Sequence, residues 1–406
     1  MNILLLLLSL AASSPGLCVQ VEPLANVRVL GGQYFFEGER GAPTGNVSAL
    51  VAPALVLSES WTLLPALSGE YQGTKQVVDL VGSGSMFQER AAQRGGVKAV
   101  FTPAGSRWRL KPSLSYGFEL LNETKDERWG RGLFDTRRWV TGLEAEYAYA
   151  EPFSVRLSYD YCFTAFPNYT ALESEAALDF QGQPLARELV GEHVLDSHMH
   201  LITLAGTRRL WGRTEGAVSL AFRRQTFTNQ ALVDASGELR SETRGDFGTA
   251  FRGSVHMPLE LTPEVRLLGG LGFQVFGNAS DQASYDAKDA RFMPGYYNYI
   301  EFGFEPWLKA SMGDEREPIT LSLAGAWTSR SYSHRLVQDS AGAYQGETLR
   351  QRTWTLSATL SYPLAPRLSA LFSLQHGQAS SNQGFQSFYS YDYSATNYLM
   401  GLSWEY

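Results

Sequence analysis

Charged side chains of both signs recur at every second position of several segments, where they alternate with apolar residues. Arginine dominates the cations, and its planar guanidinium offers paired donors that suit a carboxylate or a phosphate. A row of such groups would favour anionic solutes or an acidic glycan. The alternative is that neighbouring charges of opposite sign pair across strands. The candidates on the polar parity are Arg109, Glu119, Glu144, Arg156, Asp160, Arg213, Arg223, Arg244, Asp246 and Arg252.

A histidine cluster is the second candidate, with His193, His198 and His200 flanking Asp196 and Ser197. His198 and His200 are two residues apart, so on a strand they share a face, a spacing that can bind a metal ion. No cysteine or third fixed ligand accompanies them, and the chain lacks a nucleophile elbow, a phosphate-binding glycine loop and a paired-cysteine motif. We therefore expect no catalytic residue, no metal site and no cofactor, and interpret the histidines as strand-entry residues.

Composition narrows the class of protein. The chain has 406 residues, with Lys+Arg 34 against Asp+Glu 41 and a formal net charge of -7, which is not the balance of a basic nucleic-acid binder. Aromatic residues make up 13% and glycines number 39, a mixture that suits strands with aromatic belts. We expect no nucleic-acid partner.

The elements that must position the charges are β-strands, because the apolar pattern has a period of two. From Phe153 to Phe163 the odd positions are apolar or aromatic, and from Ser154 to Thr164 the even positions are small, polar or charged. Such segments run roughly ten to eighteen residues, against five or six in globular proteins. Short turns alternate with long polar connections, which is typical of membrane barrels.

These segments predict an all-β fold, a transmembrane antiparallel up-and-down β-barrel of about sixteen strands (about 16–18), with both chain ends on the short-turn side. The stretch from Gly73 to Gly96 stays open between a loop, an inward-folded constriction and an extra hairpin.

The N-terminus carries an apolar run from Ile3 to Ala12, which is too short to span a bilayer but matches the core of a secretion signal. We assign residues 1–20 to a signal peptide and 21–406 to one outer-membrane barrel domain. Cys18 would leave with the signal, so Cys162 would have no intramolecular disulfide partner.

The last strand is apolar at every second position and ends in an aromatic residue, at Tyr398, Met400, Leu402, Trp404 and Tyr406. This pattern resembles the C-terminal assembly signal of bacterial outer-membrane β-barrel proteins. The resemblance implies a place in the bacterial outer membrane, with the barrel insertion machinery, outer-membrane lipid and lipopolysaccharide as partners. No motif singles out one porin subfamily. Porin-like exporters of surface polysaccharides, with periplasmic export partners, are one alternative.

A barrel of about sixteen strands leaves an aqueous channel. We therefore expect a channel for hydrophilic solutes, with export of a surface polysaccharide as one form, and no enzyme. Two alternatives stay open: a barrel-embedded hydrolase, and a structural or adhesion barrel whose surface loops bind a ligand. Arg350 and Arg352 fall on the outward parity beside a long loop, where they would meet lipopolysaccharide phosphates or remain solvated.

Overall fold

A computed structural model of the chain shows a closed β-barrel. The structure describes residues 19–37, 41–78, 85–122, 127–150, 153–170, 176–262, 264–314, 317–386 and 391–406. Every regular element within these ranges is a β-strand, and none of them holds a helix that is long and apolar enough to cross a membrane. The predicted signal peptide falls almost entirely outside the described residues.

Sixteen long strands form the wall. They are β1 (Ala25–Phe36), β2 (Ala42–Val51), β3 (Trp61–Val78), β4 (Ser85–Phe101), β5 (Trp108–Asn122), β6 (Thr136–Ala150), β7 (Phe153–Ala165), β8 (Ser197–Arg209), β9 (Glu215–Val233), β10 (Leu239–Thr262), β11 (Val265–Ser280), β12 (Tyr299–Met312), β13 (Ile319–Gln338), β14 (Tyr344–Ala365), β15 (Leu368–Ser381) and β16 (Tyr393–Glu405). Two three-residue segments, Gln20–Glu22 and Ala54–Val56, pair with each other and continue β1 and β2.

Each strand pairs antiparallel with its neighbours along the chain, and the first strand pairs with the last. The register of this seam runs from Asn26↔Glu405 to Phe36↔Ala395. Closing the sheet gives the backbone of every wall strand a partner on both sides, which is what a membrane-spanning sheet requires. The predicted up-and-down barrel of about sixteen strands is confirmed.

The outer face of the wall is apolar and exposed. Large side chains such as Val29, Leu114 and Leu356 are 52%, 51% and 58% accessible, although they belong to long paired strands. Exposure of a continuous apolar belt of this size would be unfavourable in water, whereas contact of the belt with lipid is favourable. The period-two pattern thus places one face of each strand against the membrane and the other toward the interior.

The connections differ between the two rims. One rim has the short turns, such as 102–107 and 366–367, together with both ends of the described chain; we call it the short-turn rim. The other has the long connections, including 166–196, 281–298 and 382–392; we call it the long-loop rim. Strand parity therefore fixes which side chains of each strand face inward, and the turns fix which end of each strand is near which rim.

The stretch from Gly73 to Gly96 belongs mainly to two wall strands. β3 and β4 continue to pair beyond a register shift after Gln72, as far as Val78↔Ser85. The stretch is therefore an extension of an existing hairpin rather than an additional pair of wall strands, with residues 79–84 outside the description.

The long connections pack on one another over the long-loop rim. The buried Glu188 carboxylate accepts the backbone N–H of Tyr285 at 2.8 Å, which joins connection 166–196 to connection 281–298. Val233, Ala283 and Phe292 form a small apolar core beneath this contact. We call these joined connections the loop layer.

Candidate functional site

The inner wall of the barrel is the candidate site, and strand parity identifies its residues. On β6, Trp139 and Leu143 are about half exposed on the outer face, at 50% and 52%, so Glu144 and Glu146 point inward. The same reasoning applies to the other strands, because successive side chains point to opposite faces. Inward Glu70 and Lys98 have side chains 52% and 42% accessible, which shows that solvent reaches the interior wall.

One part of the inner wall is a network of opposite charges on β4, β5 and β6. Lys111 Nζ donates to Glu144 at 2.7 Å and also to Glu146, while Arg109 donates to Glu146 at 3.3 Å. Lys98 lies 3.8 Å from Glu144. Two of the predicted candidates, Arg109 and Glu144, are therefore in cross-strand ion pairs. This is the alternative given above, in which neighbouring charges of opposite sign pair across strands.

Three more candidates are paired. Glu119 accepts two hydrogen bonds from Arg90, at 2.7 and 2.9 Å. Asp246 accepts two from Arg244, at 3.0 and 2.8 Å, and both side chains are largely buried. Arg90, which also lies 3.4 Å from Glu70, was not among the predicted residues. Its parity on β4 could have placed it on the inner wall. Arg90 lies, however, in the stretch from Gly73 to Gly96, which the sequence left open between a loop, a constriction and an extra hairpin.

A second set of inward cations has no carboxylate partner. Among the residues that the structure describes, the inward arginines with no carboxylate oxygen within 4.0 Å include Arg94, Arg138, Arg156, Arg223 and Arg252. Arg223 donates instead to the amide oxygen of Asn278 at 2.9 Å, and Arg252 donates to that of Gln274 at 3.3 Å. An amide orients a guanidinium without neutralising its charge, so these groups remain available to an anion.

Arg156 and Arg252 face a common concavity of about 430 Å³ in the inner wall. Most of the other lining residues are alanine, serine and glycine residues of β8 to β11, together with Val218, Phe273, Gln274 and Glu305. Small side chains leave the arginines free to reach a solute. Asp160, on the same inward face of β7 as Arg156, has no cation within ion-pair distance in the described part of the chain, so the wall is not uniformly basic.

Arginines near the long-loop rim stack on aromatic rings. Arg244 lies 4.6 Å from the ring centre of Phe227 and 4.5 Å from that of Tyr297. Arg330 lies 4.4 Å from the ring centre of Tyr299. The full set, which we call the arginine–aromatic wall, contains Arg223 over Phe276, Arg244, Arg330, and Arg335 over Tyr296, Tyr332 and Tyr391. Such contacts hold a guanidinium in place. The N–H groups of Arg244 and Arg330 also donate to carboxylates, Arg244 to Asp246 and Arg330 to Glu301 at 2.8 Å.

Sequence reasoning placed Arg223 and Arg244 on the inner wall but not their ring partners. Those rings come from different strands and from connection 281–298, so their meeting depends on register rather than on local spacing. Arg330 and Tyr332 share a parity within β13, and this was the one local signal of the arrangement.

The loop layer contains a cleft of about 400 Å³ near the upper end of the arginine–aromatic wall. Its lining includes Asp286, Tyr296, Arg335 and Tyr344. Burial raises the pKa of Tyr296 to about 12. Burial and, after it, a hydrogen bond with the Asp286 carboxylate raise the pKa of Tyr344. Both phenols therefore stay protonated near neutral pH and can donate hydrogen bonds.

Arg213 lies off the inner strand faces. It sits in the short turn between β8 and β9, where it pairs with the exposed Glu260. The sequence placed Arg213 on the polar parity of a strand, but β9 begins at Glu215, so Arg213 precedes the strand.

The five residues of the predicted assembly signal lie at the seam. Met400, Leu402 and Trp404 are exposed on the outer face of β16, at 62%, 48% and 39%. Tyr398 donates its phenol to Gln33 across the seam, and Tyr406 donates its backbone N–H to Ala25 at 2.8 Å. This placement is that of lipid-facing seam residues, and their role in assembly stays a prediction.

The histidine cluster does not form an internal site. His198 and His200 have the parity of the exposed Ile202 and therefore face outward. Asp196 accepts the backbone N–H of Phe166 at 2.7 Å, and Ser197 accepts a hydrogen bond from Gln225 at 3.1 Å. Within the described ranges no group of three or more His, Cys, Asp or Glu side chains is arranged to hold a metal ion.

Comparison with known proteins gives likeness of shape alone. No protein-family model and no curated protein sequence matches the chain. Among solved structures, OccD3 (OpdP) of Pseudomonas aeruginosa is similar at 7% identity and a TM-score of 0.46, over 97% of this chain and 93% of that one. A BenF-like porin from Pseudomonas fluorescens Pf-5 is similar at 11% identity and 0.44, over 95% and 98%. A structure described as a bacterial polysaccharide outer membrane secretin is similar at 10% identity and 0.44, over 94% and 98%.

Proposed function

We propose that the chain is a bacterial outer-membrane channel for hydrophilic solutes and that its inner wall favours anions. The observation that carries the proposal is the set of inward arginines without carboxylate partners, above all Arg156 and Arg252 around their shared concavity. A closed barrel with an apolar exterior and a charged, solvent-accessible interior supports passage of polar solutes.

The outer membrane is the proposed location because a barrel with short turns on one rim and long loops on the other is typical of that membrane. In this orientation the long-loop rim faces the cell exterior and the short-turn rim faces the periplasm. The insertion machinery would recognise the β16 residues that line the seam, from Tyr398 to Tyr406.

Export of a surface polysaccharide is the finer form of the proposal. The arginine–aromatic wall favours it, because its aromatic faces pack against sugar rings and its Arg223, which donates to an amide rather than to a carboxylate, can pair with acidic substituents. Periplasmic export partners would then bind at the short-turn rim. A surface-loop binding role is the second candidate, and the cleft in the loop layer is the observation in its favour.

The test is single-channel recording of the refolded protein in planar bilayers, with selectivity from the reversal potential in a salt gradient. We expect steady openings that prefer chloride over potassium. Replacing both arginines (Arg156→Gln with Arg252→Gln) should lower the anion preference severalfold at nearly unchanged conductance, because two positive charges are lost while the width of the channel is kept. The control is Arg213→Gln, a charge loss in a short turn outside the wall.

A folded barrel that passes no current would contradict a channel. Openings whose selectivity is the same in the double variant and in the wild type would contradict the assigned role of Arg156 and Arg252.

A further inference from the structure

The lipid-facing surface carries an unusual group of polar side chains close to the long-loop rim. The group spans four adjacent strands, β6 to β9, whose outer face is mainly apolar between the two rims. We call it the outer polar patch, and its members are Arg137, Tyr159, Tyr161, His198, His200 and Arg224.

Strand parity shows that these groups point away from the interior. On β8, His198 and His200 share a face with Ile202 and Leu204, which are 48% and 50% accessible. On β9, Arg224 shares a face with Phe222, which is 42% accessible. The patch therefore lies above the apolar belt on the outside of the barrel.

The imidazoles of the patch are held by phenols. The hydroxyl of Tyr161 lies 2.6 Å from Nδ1 of His198, and that of Tyr159 lies 2.8 Å from Nδ1 of His200. When a phenol donates to Nδ1, the neutral ring carries its proton on Nε2. Each histidine then presents an oriented Nε2–H donor at the membrane surface.

Two arginines lie on the same outer face as the imidazoles. Arg224 is the register partner of His200, and Arg137 pairs in register with Ala165, two residues along β7 from Phe163, which faces His198. Within the described residues neither guanidinium has a hydrogen bond or an ion pair. An arginine in contact with lipid is costly unless it reaches the interface and finds a counter-charge.

We propose that the outer polar patch binds a lipid-borne phosphate, the phosphorylated headgroup of a glycolipid in the outer leaflet. The Arg224 guanidinium and the two Nε2–H donors form a set that suits one phosphate, and Arg137, three strands from Arg224 on the same outer face, would meet a second phosphate of the same headgroup. The apolar residues directly beside the patch, such as Ile202 and Phe222, would contact the acyl chains, so a lipid fits better than a free phosphate. The site goes beyond the proposed channel and depends on it only for the orientation of the long-loop rim.

The test measures binding of diphosphoryl lipid A to the full barrel in detergent by native mass spectrometry, beside the same lipid with its phosphates removed. The test variant combines Arg137→Gln and Arg224→Gln. The matched control is Arg208→Gln, because Arg208 is exposed on the outer face of the same β8 strand but lies at the short-turn rim. A heat-shift gel confirms that each variant is folded.

We expect the double variant to bind diphosphoryl lipid A about tenfold more weakly, with the Arg208→Gln control unchanged, since loss of charge-assisted hydrogen bonds has this order of effect. Tyr161→Phe should weaken binding severalfold by freeing the His198 ring. Equal binding of the dephosphorylated lipid, an equal loss in the control, or full competition by inorganic phosphate at the lipid's concentration would each overturn the proposal. These outcomes are independent of conductance, so they are distinguishable from failure of the channel.

Discussion

Lys111 is the centre of the charge network on the inner wall. Its side chain is 15% accessible, and those of its partners Glu144 and Glu146 are 17% and 10% accessible, so all three are shielded from most of the interior water. Removing the shared cation would leave two neighbouring carboxylates partly desolvated and repelling each other, and loss of one member of a buried pair is strongly destabilising.

We predict that Lys111→Met lowers the free energy of unfolding by about 2 kcal/mol, less than for a fully buried pair because the interior is hydrated. Urea unfolding in lipid vesicles, followed by tryptophan fluorescence, measures the change. Lys98→Met is the matched control, because Lys98 is 42% accessible and lies 3.8 Å from Glu144. It should cost less than about 0.5 kcal/mol. Equal effects of the two substitutions would contradict a central role for Lys111.

At the level of residues, sequence predicted the face of a side chain but not its partner. Parity was enough to place Glu119 and Arg252 together on the inner wall. It did not show that Glu119 is paired with Arg90 while Arg252 has only an amide neighbour, because partners across strands depend on register. Sequence also placed His198 and His200 on one face without showing which side of the wall it is, because both parities of this segment carry apolar residues, such as Leu201 and Ile202.

Glycines at the seam between β1 and β16 allow two backbones to approach closely. A Cβ atom at Gly32 would overlap the carbonyl oxygen of Tyr398, and one at Gly401 would overlap that of Val29. No side-chain movement relieves a clash with backbone. The seam joins the two ends of the chain, so closure of the whole barrel depends on these two positions.

We predict that Gly32→Ala strongly reduces the yield of folded barrel, because overpacking against a paired backbone costs about 1–3 kcal/mol or more. The folded fraction is measured by heat-dependent mobility on gels after refolding into detergent. Gly31→Ala is the control on the same strand, since no atom lies within 4 Å of a Cβ at Gly31. A folded fraction that is the same for both variants would show that the seam tolerates the added methyl group.

The presence and order of the strands could be predicted from the sequence, because apolar residues alternate strongly within each segment and turn residues separate one segment from the next. Boundaries were less certain, as Arg213 shows, because a strand end is set by where pairing stops. The stretch from Gly73 to Gly96 was ambiguous for the same reason: its strands continue past the usual length, and pairing of β3 with β4 decides their extent. The loop layer had no local pattern from which its contacts could be inferred.

The loop layer ties the mouth of the barrel into one unit. Glu188 joins connection 166–196 to connection 281–298 and to the end of β9, since its carboxylate accepts the backbone N–H of Tyr285 at 2.8 Å and its carbonyl accepts a hydrogen bond from the Gln230 amide at 2.7 Å. Asn168 also reaches the connection before β6, donating to Gly132 at 3.1 Å. Connections bound in this way move together rather than singly, so the mouth of the whole barrel has one dominant arrangement.

We predict that Glu188→Ala opens the loop layer while the wall stays folded, because it removes a buried acceptor whose loss costs about 1–3 kcal/mol. Trypsin should then cleave after Arg187 and Arg291 roughly tenfold faster, as local opening becomes more frequent. Glu192→Ala is the control, since Glu192 is exposed in the same connection. Single-channel records should show new brief closures in the Glu188 variant, because loops released from one another enter the mouth independently. Unchanged cleavage with steady current would mean that other contacts hold the layer without Glu188.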